Sequence, residues 1–181
     1  EAAVRKAAAY ALGVIGDKRA LERLMASLGD QDSSVRAAAA LSLGKIKDSG
    51  AVESLIKALE DKDLNVRWNA AKALGDLGDP RALDSLKVAL ADREGRVREN
   101  AATALGRIGH EDTVEPLIQA LQDREYSVQM AAATALCKIH RRSRNRRAEE
   151  ALVLAARAQR VQQVAAAYPF FIRRGGPEFE S

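Results

Sequence analysis

A recurrence at one fixed spacing constrains the fold of this chain more than any other feature. Five valines, four of them followed by arginine, stand 31 residues apart at Val4-Arg5, Val35-Arg36, Val66-Arg67, Val97-Arg98 and Val128-Gln129. Each interval contains two stretches with the apolar spacing of an α-helix. A repeat of this length with two helices per unit is typical of a stacked solenoid, in which every unit packs on its neighbours. The sequence therefore predicts an all-α superhelix of about five 31-residue helical pairs.

The unit that starts at Asp63 shows why each interval contains two helices. Its first helix carries one apolar stripe at positions i, i+4, i+8 and i+11, formed by Val66, Ala70, Leu74 and Leu77. Asp63 is a candidate N-cap, because a short carboxylate accepts hydrogen bonds from the free N–H groups of a first helical turn. Gly78 suits a left-handed C-cap, and Asp79-Pro80 then supplies an N-cap and a first-turn proline. We therefore predict that two helices meet at Gly78-Asp79.

A glycine interrupts the first helix of four units, at Gly13, Gly44, Gly75 and Gly106. Glycine in a helix interior costs about 1 kcal/mol relative to alanine, so its recurrence needs a compensating contact. We predict that neighbouring helices approach each other closely at this level. Cys137 occupies the same position in the fifth unit, and we interpret it as a small buried substitute rather than a reactive thiol.

Composition agrees with closely packed helices and restricts the classes of function. Of the 181 residues, 47% are apolar but only 4% are aromatic, which suits helices packed side by side. A single cysteine cannot form an internal disulfide or a thiolate-rich metal site. The sequence shows no signal segment and no apolar run of about 20 residues that could cross a bilayer. We therefore expect a cytoplasmic protein with no membrane partner. Its start at Glu1, within a repeat, indicates a fragment of a longer protein.

The formal net charge of +4 is concentrated at the C-terminal end of the chain. Residues 1–137 contain 19 Lys and Arg against 21 Asp and Glu, whereas residues 138–181 contain 10 against 4. The repeats are thus close to neutral, and the basic character belongs to the part that follows them.

The repeat pattern weakens after the fifth valine. Gln129 replaces the arginine, His140 replaces the capping glycine, and a basic run at 138–147 replaces the turn. We predict that residues 1–140 form the repeats, the first of them truncated. Residues 141–167 are then predicted to form a basic turn and a helix that caps the open end of the stack.

The capping helix is predicted to run from Arg146 to Ala167. Its apolar positions are Ala151, Leu152, Leu154, Ala155, Val161 and Val164. The tail, 168–181, is predicted to be partly disordered or derived from an expression vector. The apolar residues expected to dock back onto the cap are Phe170, Phe171 and Ile172.

The unit Asp-x-x-Val-Arg-x-x-Ala-Ala-x-Ala-Leu-Gly-x-Ile-Gly-Asp, seen at Asp32–Asp48 and Asp63–Asp79, resembles the HEAT-like repeats of the phycobilisome-lyase type. The resemblance covers residues 1–140 and implies a right-handed α-α superhelix whose Val-Arg helices line the concave face. It also implies a ladder of arginines stacked against aspartates of the inter-helix turns. The matching residues are Arg5, Arg36, Arg67 and Arg98, with Asp30, Asp61, Asp92 and Asp123. We interpret this ladder as structural, because its acids already neutralise arginines that would otherwise bind an anion.

One branch of that family is a di-iron deoxyhypusine hydroxylase, which places His-Glu pairs just after the Val-Arg of several repeats. The matching positions here read Lys6-Ala7, Ala37-Ala38, Trp68-Asn69, Glu99-Asn100 and Met130-Ala131, so every pair is missing. The single His-Glu, His110-Glu111, falls in a turn, and we interpret it as solvated. No phosphate-binding loop and no set of nucleophile and base can be assembled either. We therefore predict a protein that is not an enzyme and has no catalytic residue, cofactor or metal.

Several helix positions that the repeat framework does not require carry large apolar side chains next to polar ones. They lie opposite the stripe that contains Val66 and Leu74, and aromatic groups on such a face are typical of a protein-binding patch. The predicted partner-binding residues are Tyr10, Leu41, Leu64, Trp68, Asn69, Lys72, Glu99, Asn100, Thr103, Tyr126 and Met130. Alternatively, each large side chain lies flat over its neighbour in the next repeat. Trp68 is the best single candidate, and we expect Trp68→Ala to reduce partner binding with melting nearly unchanged.

Two other functions stay open beside this one. The basic segment 138–147 is a candidate site for nucleic acid or an acidic surface, through Arg141, Arg142, Arg144, Arg146 and Arg147. Against nucleic acid, the repeats are near neutral and we expect no second basic stripe along the concave face. The resemblance also allows a phycobilin-lyase-like accessory protein that works through binding. The favoured prediction is a scaffold that binds another protein of unknown identity through its concave face.

Overall fold

The computed structural model describes residues 1–157 of the 181-residue chain, and the regular structure of this part is helical. Its α-helices are α1 (Ala2–Ile15), α2 (Leu21–Ser27), α3 (Ser33–Ile46), α4 (Val52–Ala58), α5 (Leu64–Leu77), α6 (Leu83–Ala89), α7 (Gly95–Ile108), α8 (Val114–Ala120), α9 (Tyr126–Ser143) and α10 (Arg146–Arg157). Single 3₁₀ turns precede the four short helices, at Lys18–Ala20, Ser49–Ala51, Pro80–Ala82 and Glu111–Thr113. Within residues 1–157 we find no helix that has both the length and the hydropathy needed to span a bilayer.

Two kinds of helix alternate along the chain. We call α1, α3, α5, α7 and α9 the A helices, since each contains a repeated valine near its start, and α2, α4, α6 and α8 the B helices. Consecutive A helices pack directly against one another, and each B helix packs mainly on the A helix that follows it. Each unit is thus stabilised by its neighbours along the stack. This arrangement confirms the predicted all-α solenoid.

The ends of α5 show how the sequence produces this alternation. Asp63 caps the helix, and its carboxylate accepts a hydrogen bond from the N–H of Asn65 at 2.8 Å. Gly78 ends the helix at φ 68°, in the left-handed region that glycine adopts without strain. Asp79 then caps the next 3₁₀ turn, in which Pro80 is the first residue. The predicted junction at Gly78-Asp79 is therefore confirmed.

The recurrent glycines lie where neighbouring A helices are closest. A Cβ atom added at Gly75 would stand 2.8 Å from both Cα and Cβ of Ala104 in α7, and one added at Gly44 would stand 2.9 Å from Ala73 in α5. These distances are well below the about 3.5–4.0 Å of an ordinary carbon–carbon contact. The close approach confirms the predicted packing role, and Cys137, which holds this position in α9, is buried as expected.

The end of α9 differs from the prediction. The turn expected from about residue 140 onwards is helical through Ser143, and Arg144 is the left-handed C-cap at φ 55°. His140 stands where other A helices have a left-handed residue such as Gly78. Its imidazole is buried, with Nδ1 3.0 Å from the carbonyl oxygen of Asn145. Burial of this side chain favours one more helical turn over a cap at position 140, so the basic residues up to Ser143 belong to the helix.

Helix α10 covers the C-terminal end of the stack, as predicted, and packs on α9 and α8. Its buried residues are Ala148, Ala151, Leu152 and Ala155. Leu154, one of the apolar positions named for this helix, does not join them, because 62% of this residue is exposed. The four buried positions recur at intervals of three and four residues, and Leu154 falls outside that stripe. The predicted continuation to Ala167 with Val161 and Val164, and the docking of 170–172, lie outside the described residues.

Candidate protein-binding face

Three arginines each hold together two successive turns of the solenoid. Arg67 donates from Nε and Nη2 to the carboxylate of Asp92, at 2.7 and 3.1 Å. Its Nη1 donates to the backbone oxygens of Asp61 and Lys62, at 2.9 and 3.1 Å. Arg36 and Arg98 repeat this pattern with Asp61 and Asp123. The predicted ladder is thus present, and each rung connects the turn before an A helix to the turn that follows the next B helix.

The ladder leaves little positive charge free for a ligand. The hydrogen bonds from Arg5 lower the pKa of Asp30 to about 2, so this carboxylate stays ionised and neutralises the guanidinium. At Asp61 and Asp92 burial opposes ionisation, yet the hydrogen bonds from the arginine and from a backbone N–H together lower the pKa. The guanidinium groups of Arg36, Arg67 and Arg98 are also almost fully buried. The geometry supports a structural role.

Gln129 makes one of the two kinds of contact that a ladder arginine makes. Its Nε2 donates to the backbone oxygen of Asp123 at 2.6 Å, which matches the bond that each ladder arginine makes to the turn before its own helix. One repeat length after Asp123 the sequence has Leu154, so the aspartate that would pair with an arginine at position 129 is missing. The amide therefore satisfies the one partner that remains, which explains why the arginine is not needed here.

The A helices form the more closely spaced side of the stack. They contact one another in sequence and approach closely at the glycines, whereas the main contacts of the B helices are with A helices. Tighter spacing on one side is the geometry expected of a concave inner surface. Counting the repeated valine as position one, the A helices leave positions three, seven and eleven at least partly exposed in every unit. We call these fifteen residues the A face: Lys6, Tyr10, Val14, Ala37, Leu41, Lys45, Trp68, Lys72, Asp76, Glu99, Thr103, Arg107, Met130, Thr134 and Lys138.

The structure places most, but not all, of the predicted partner-binding residues on or beside this face. Of these residues, Tyr10 and Tyr126 are exposed. Half-buried are Leu41, Leu64, Trp68, Lys72, Glu99, Asn100, Thr103 and Met130. Asn69 is only 7% exposed, so its predicted place in a binding surface is wrong. Position four of the A helix turns towards the stack, where the equivalent Ala38 and Ala131 are buried too.

Both aromatic rings of the A face are covered by a cation from the next A helix. The guanidinium carbon of Arg96 lies 4.6 Å from the centre of the Trp68 ring, and Nζ of Lys45 lies 4.3 Å from the centre of the Tyr10 ring. These distances are those of cation–π contacts. Trp68 also packs against the buried core. Lying over a neighbouring repeat was the alternative interpretation of these side chains, and the geometry at Trp68 agrees with it. We now expect Trp68→Ala to lower the melting temperature as well.

The A face is basic although the repeats as a whole are near neutral. It carries five cations, Lys6, Lys45, Lys72, Arg107 and Lys138, against the two acids Asp76 and Glu99. Most other acids of the repeats serve as turn residues, caps or ladder partners, so the net charge of the repeats conceals the excess. The expectation that no second basic stripe follows the concave face is therefore wrong. Sorting charges by their position in the 31-residue unit would have revealed it.

A groove between the C-terminal ends of α7 and α9 is lined by four cationic side chains. It has a volume of about 510 Å³ and is lined by Gly106, Arg107, Lys138, Arg141 and Arg142. Arg107 forms an ion pair with Asp76 of α5. Arg142 donates from Nη1 to the backbone oxygens of Arg107 and Ile108, at 3.2 and 3.0 Å, and so caps the end of α7. Lys138 belongs to the predicted basic segment 138–147 without being one of its named arginines, whereas Arg107 lies outside that segment.

The remaining basic residues predicted for the anion site point elsewhere. Nε of Arg147 donates to Glu115 of α8 at 2.7 Å, and Nε of Arg146 donates to Glu150 of α10 at 3.0 Å. Arg144 is the C-cap of α9. The basic run is thus not one surface, because helix geometry sends its members in different directions. Arg141 and Arg142 line the groove, and the others belong to the cap region.

The histidine and cysteine side chains do not form a catalytic constellation in the described part of the chain. His110 is half-exposed and caps a 3₁₀ turn through Nδ1, which accepts from the N–H of Asp112 at 3.3 Å. Burial raises the pKa of the Cys137 thiol to about 12, so the reactive thiolate is disfavoured. Across residues 1–157 we find no group of three or more His, Cys, Asp or Glu arranged to hold a metal ion.

Comparison with known proteins identifies the family. The family model for HEAT repeats matches residues 1–42, 26–99 and 86–168, most of the chain. No curated protein sequence matches. Among solved structures, the complex of CpcE and CpcF of phycocyanin lyase from Nostoc sp. PCC7120 is 30% identical with a TM-score of 0.71. That match covers 83% of this chain and 64% of the other, so the present chain spans somewhat less than two thirds of that relative.

More distant structures share the fold. Human deoxyhypusine hydroxylase is 22% identical with a TM-score of 0.55, over 96% of this chain and 80% of that one. A designed armadillo repeat protein in complex with the peptide (KR)4 is 20% identical with a TM-score of 0.64, over 93% and 89%. At these identities the likeness concerns the fold alone. The chain therefore belongs to the HEAT-repeat family, with repeats of the phycobilisome-lyase type.

Proposed function

We propose that this protein is a non-catalytic scaffold that binds a protein partner through the A face. The observation that supports this most is the contrast within each A helix. The side towards the stack is filled with small and medium apolar residues such as Ala70 and Leu74, both fully buried. Positions three, seven and eleven instead vary freely among aromatic, apolar and charged residues from one unit to the next. A face with constant geometry and varied chemistry is suited to recognising an extended partner.

A lyase-like accessory role is the second candidate. It rests on the 30% identity with the CpcE and CpcF complex of phycocyanin lyase. In this role the solenoid would hold the protein on which a chromophore is attached, and the A face would again be the binding surface. The two candidates differ in the partner and share the surface, so one set of variants tests both.

The test introduces a bulky neutral side chain on either side of the stack. Thr103→Tyr obstructs the centre of the A face, and Gln119→Tyr places the same ring on the exposed side of α8. Each purified variant is immobilised and challenged with lysate of the source organism, and its helicity and melting are checked first. We expect a protein captured by the wild type to be lost by Thr103→Tyr and kept by Gln119→Tyr. Loss on Gln119→Tyr alone would move the binding surface to the B helices and refute the proposal.

A further inference from the structure

We propose that the groove between α7 and α9 receives carboxylates, and that the partner of the A face is an acidic segment of a protein. This inference rests on the proposed function and specifies the chemistry of the partner. Three observations support it. Two cations of the groove have no counter-ion among residues 1–157, a row of basic residues leads away from them along the A face, and cations already cover the aromatic rings of that face.

Lys138 and Arg141 supply the free charge of the groove. Lys138 is half-buried on the last A helix, and Arg141 follows one turn later on the same helix. Within residues 1–157, neither side chain has a carboxylate partner or a hydrogen bond. The other two cations are partly engaged, Arg107 with Asp76 and Arg142 with backbone oxygens. Two unpaired cations that share a groove raise the local potential and attract an anion.

The size and surroundings of the groove favour an extended segment over a single small ion. Its volume of about 510 Å³ is many times the about 30 Å³ that one water occupies in the liquid. The groove also opens onto the A face, where Lys72 and Lys45 stand on earlier helices of the row. Packed helices lie about 8–10 Å apart, and an extended chain advances about 3.3 Å per residue. A peptide crossing the helices would therefore present about one acidic residue in every three to successive units.

The same face is poorly suited to nucleic acid. Single strands bind largely by stacking bases on exposed aromatic rings. Here Arg96 covers Trp68 and Lys45 covers Tyr10, so one face of each ring is already occupied. Glu99 stands in the middle of the row and would repel a phosphate backbone. An acidic peptide carries its charges on flexible side chains that can turn away from Glu99, whereas the phosphates of a nucleic acid are part of its backbone.

The experiment uses fluorescein-labelled decaglutamate and measures its anisotropy on titration with the protein. Salt is kept at about 100 mM, where the Debye length is about 10 Å. The groove variant is Lys138→Gln with Arg141→Gln. The control variant is Arg23→Gln with Lys57→Gln. It also removes two positive charges, but from exposed positions on the B helices α2 and α4. Thermal melting of both variants shows that each is folded.

We expect the groove variant to bind the peptide about tenfold more weakly, since it loses two charge contacts with the peptide. The control is expected to stay within about twofold of the wild type. Equal weakening of both variants would show a net-charge effect and overturn the proposal. So would unchanged binding by the groove variant, or tighter binding of an oligothymidylate of the same charge.

This outcome is separable from that of the proposed function. If lysate capture depends on the A face at Thr103 but decaglutamate binding does not depend on Lys138 and Arg141, the proposed scaffold function is kept and the proposal of an acidic partner is refuted. If Thr103→Tyr leaves both capture and peptide binding unchanged, the A face is not the binding surface and both are refuted.

Discussion

Arg67→Ala is the substitution that most directly tests what holds the repeats together. The side chain is 8% exposed and makes four hydrogen bonds, two to the Asp92 carboxylate and two to backbone oxygens of the preceding turn. Its removal leaves a carboxylate that is only 12% exposed with the backbone N–H of Glu94 as its remaining donor. The same substitution also disconnects two turns that belong to different repeats.

The expected loss follows from these contacts. Breaking a buried ion pair by removing one partner costs about 3–5 kcal/mol. Asp92 lies close to the surface, and water can reach it once the guanidinium is gone. We therefore expect Arg67→Ala to lower the free energy of unfolding by about 2–4 kcal/mol. Arg5→Ala removes the same kind of pair at the first helix, but that arginine is 40% exposed and makes only the two bonds to Asp30. We therefore expect Arg5→Ala to lower the free energy of unfolding clearly less than Arg67→Ala does.

Urea denaturation followed by far-UV circular dichroism measures both effects through the transition midpoint and slope. Arg67→Gln serves as an intermediate variant, because Gln129 shows that an amide retains a bond to the preceding turn. We expect the order of stability to be wild type, Arg67→Gln and Arg67→Ala. Equal losses for Arg67→Ala and Arg5→Ala would refute the reasoning, since they would show that burial and the backbone bonds contribute nothing.

Two further predictions concern stability. Gly75→Ala should lower the free energy of unfolding by about 1–3 kcal/mol, because its Cβ would stand 2.8 Å from Ala104. The control Gly29→Ala, whose nearest such contact is 3.4 Å, should leave the stability unchanged in the same urea melts. Equal losses of stability for the two variants would contradict the packing role of Gly75. The ladder aspartates have lowered pKa values in the folded state, so the unfolded chain binds more protons and stability is lost as the pH falls from about 4 towards 2. Urea midpoints at about pH 6, 4 and 3 measure this loss, and a midpoint constant down to about pH 3 would contradict it.

The architecture could be predicted from local signals that act within one unit. The 31-residue period, the N-cap at Asp63, the left-handed Gly78 and the glycine at position ten all depend on backbone geometry or on contact with a neighbouring copy. In a repeat protein that neighbour has nearly the same sequence, so one unit reveals the surroundings of the next. The same logic predicted burial of Cys137. The prediction loses this advantage after residue 140, where no following copy exists and His140 extends the helix.

The chemistry of the surface was decided by tertiary structure. A helical projection of the sequence places Asn69 on the exposed side of its helix, but in the structure this residue turns towards the stack. The sequence predicts Trp68 as an uncovered binding residue, but in the structure its ring lies beneath Arg96. This contact depends on the spacing of the two helices that carry the residues. The groove joins Arg107 to Lys138, residues one full repeat apart that only stacking brings together. The sequence by itself thus determined the repeat, its caps and its close packing, because these follow from short-range geometry. Which charges are paired, and which stay free for a partner, depends on contacts between helices that are distant in sequence, and only the folded stack decides them.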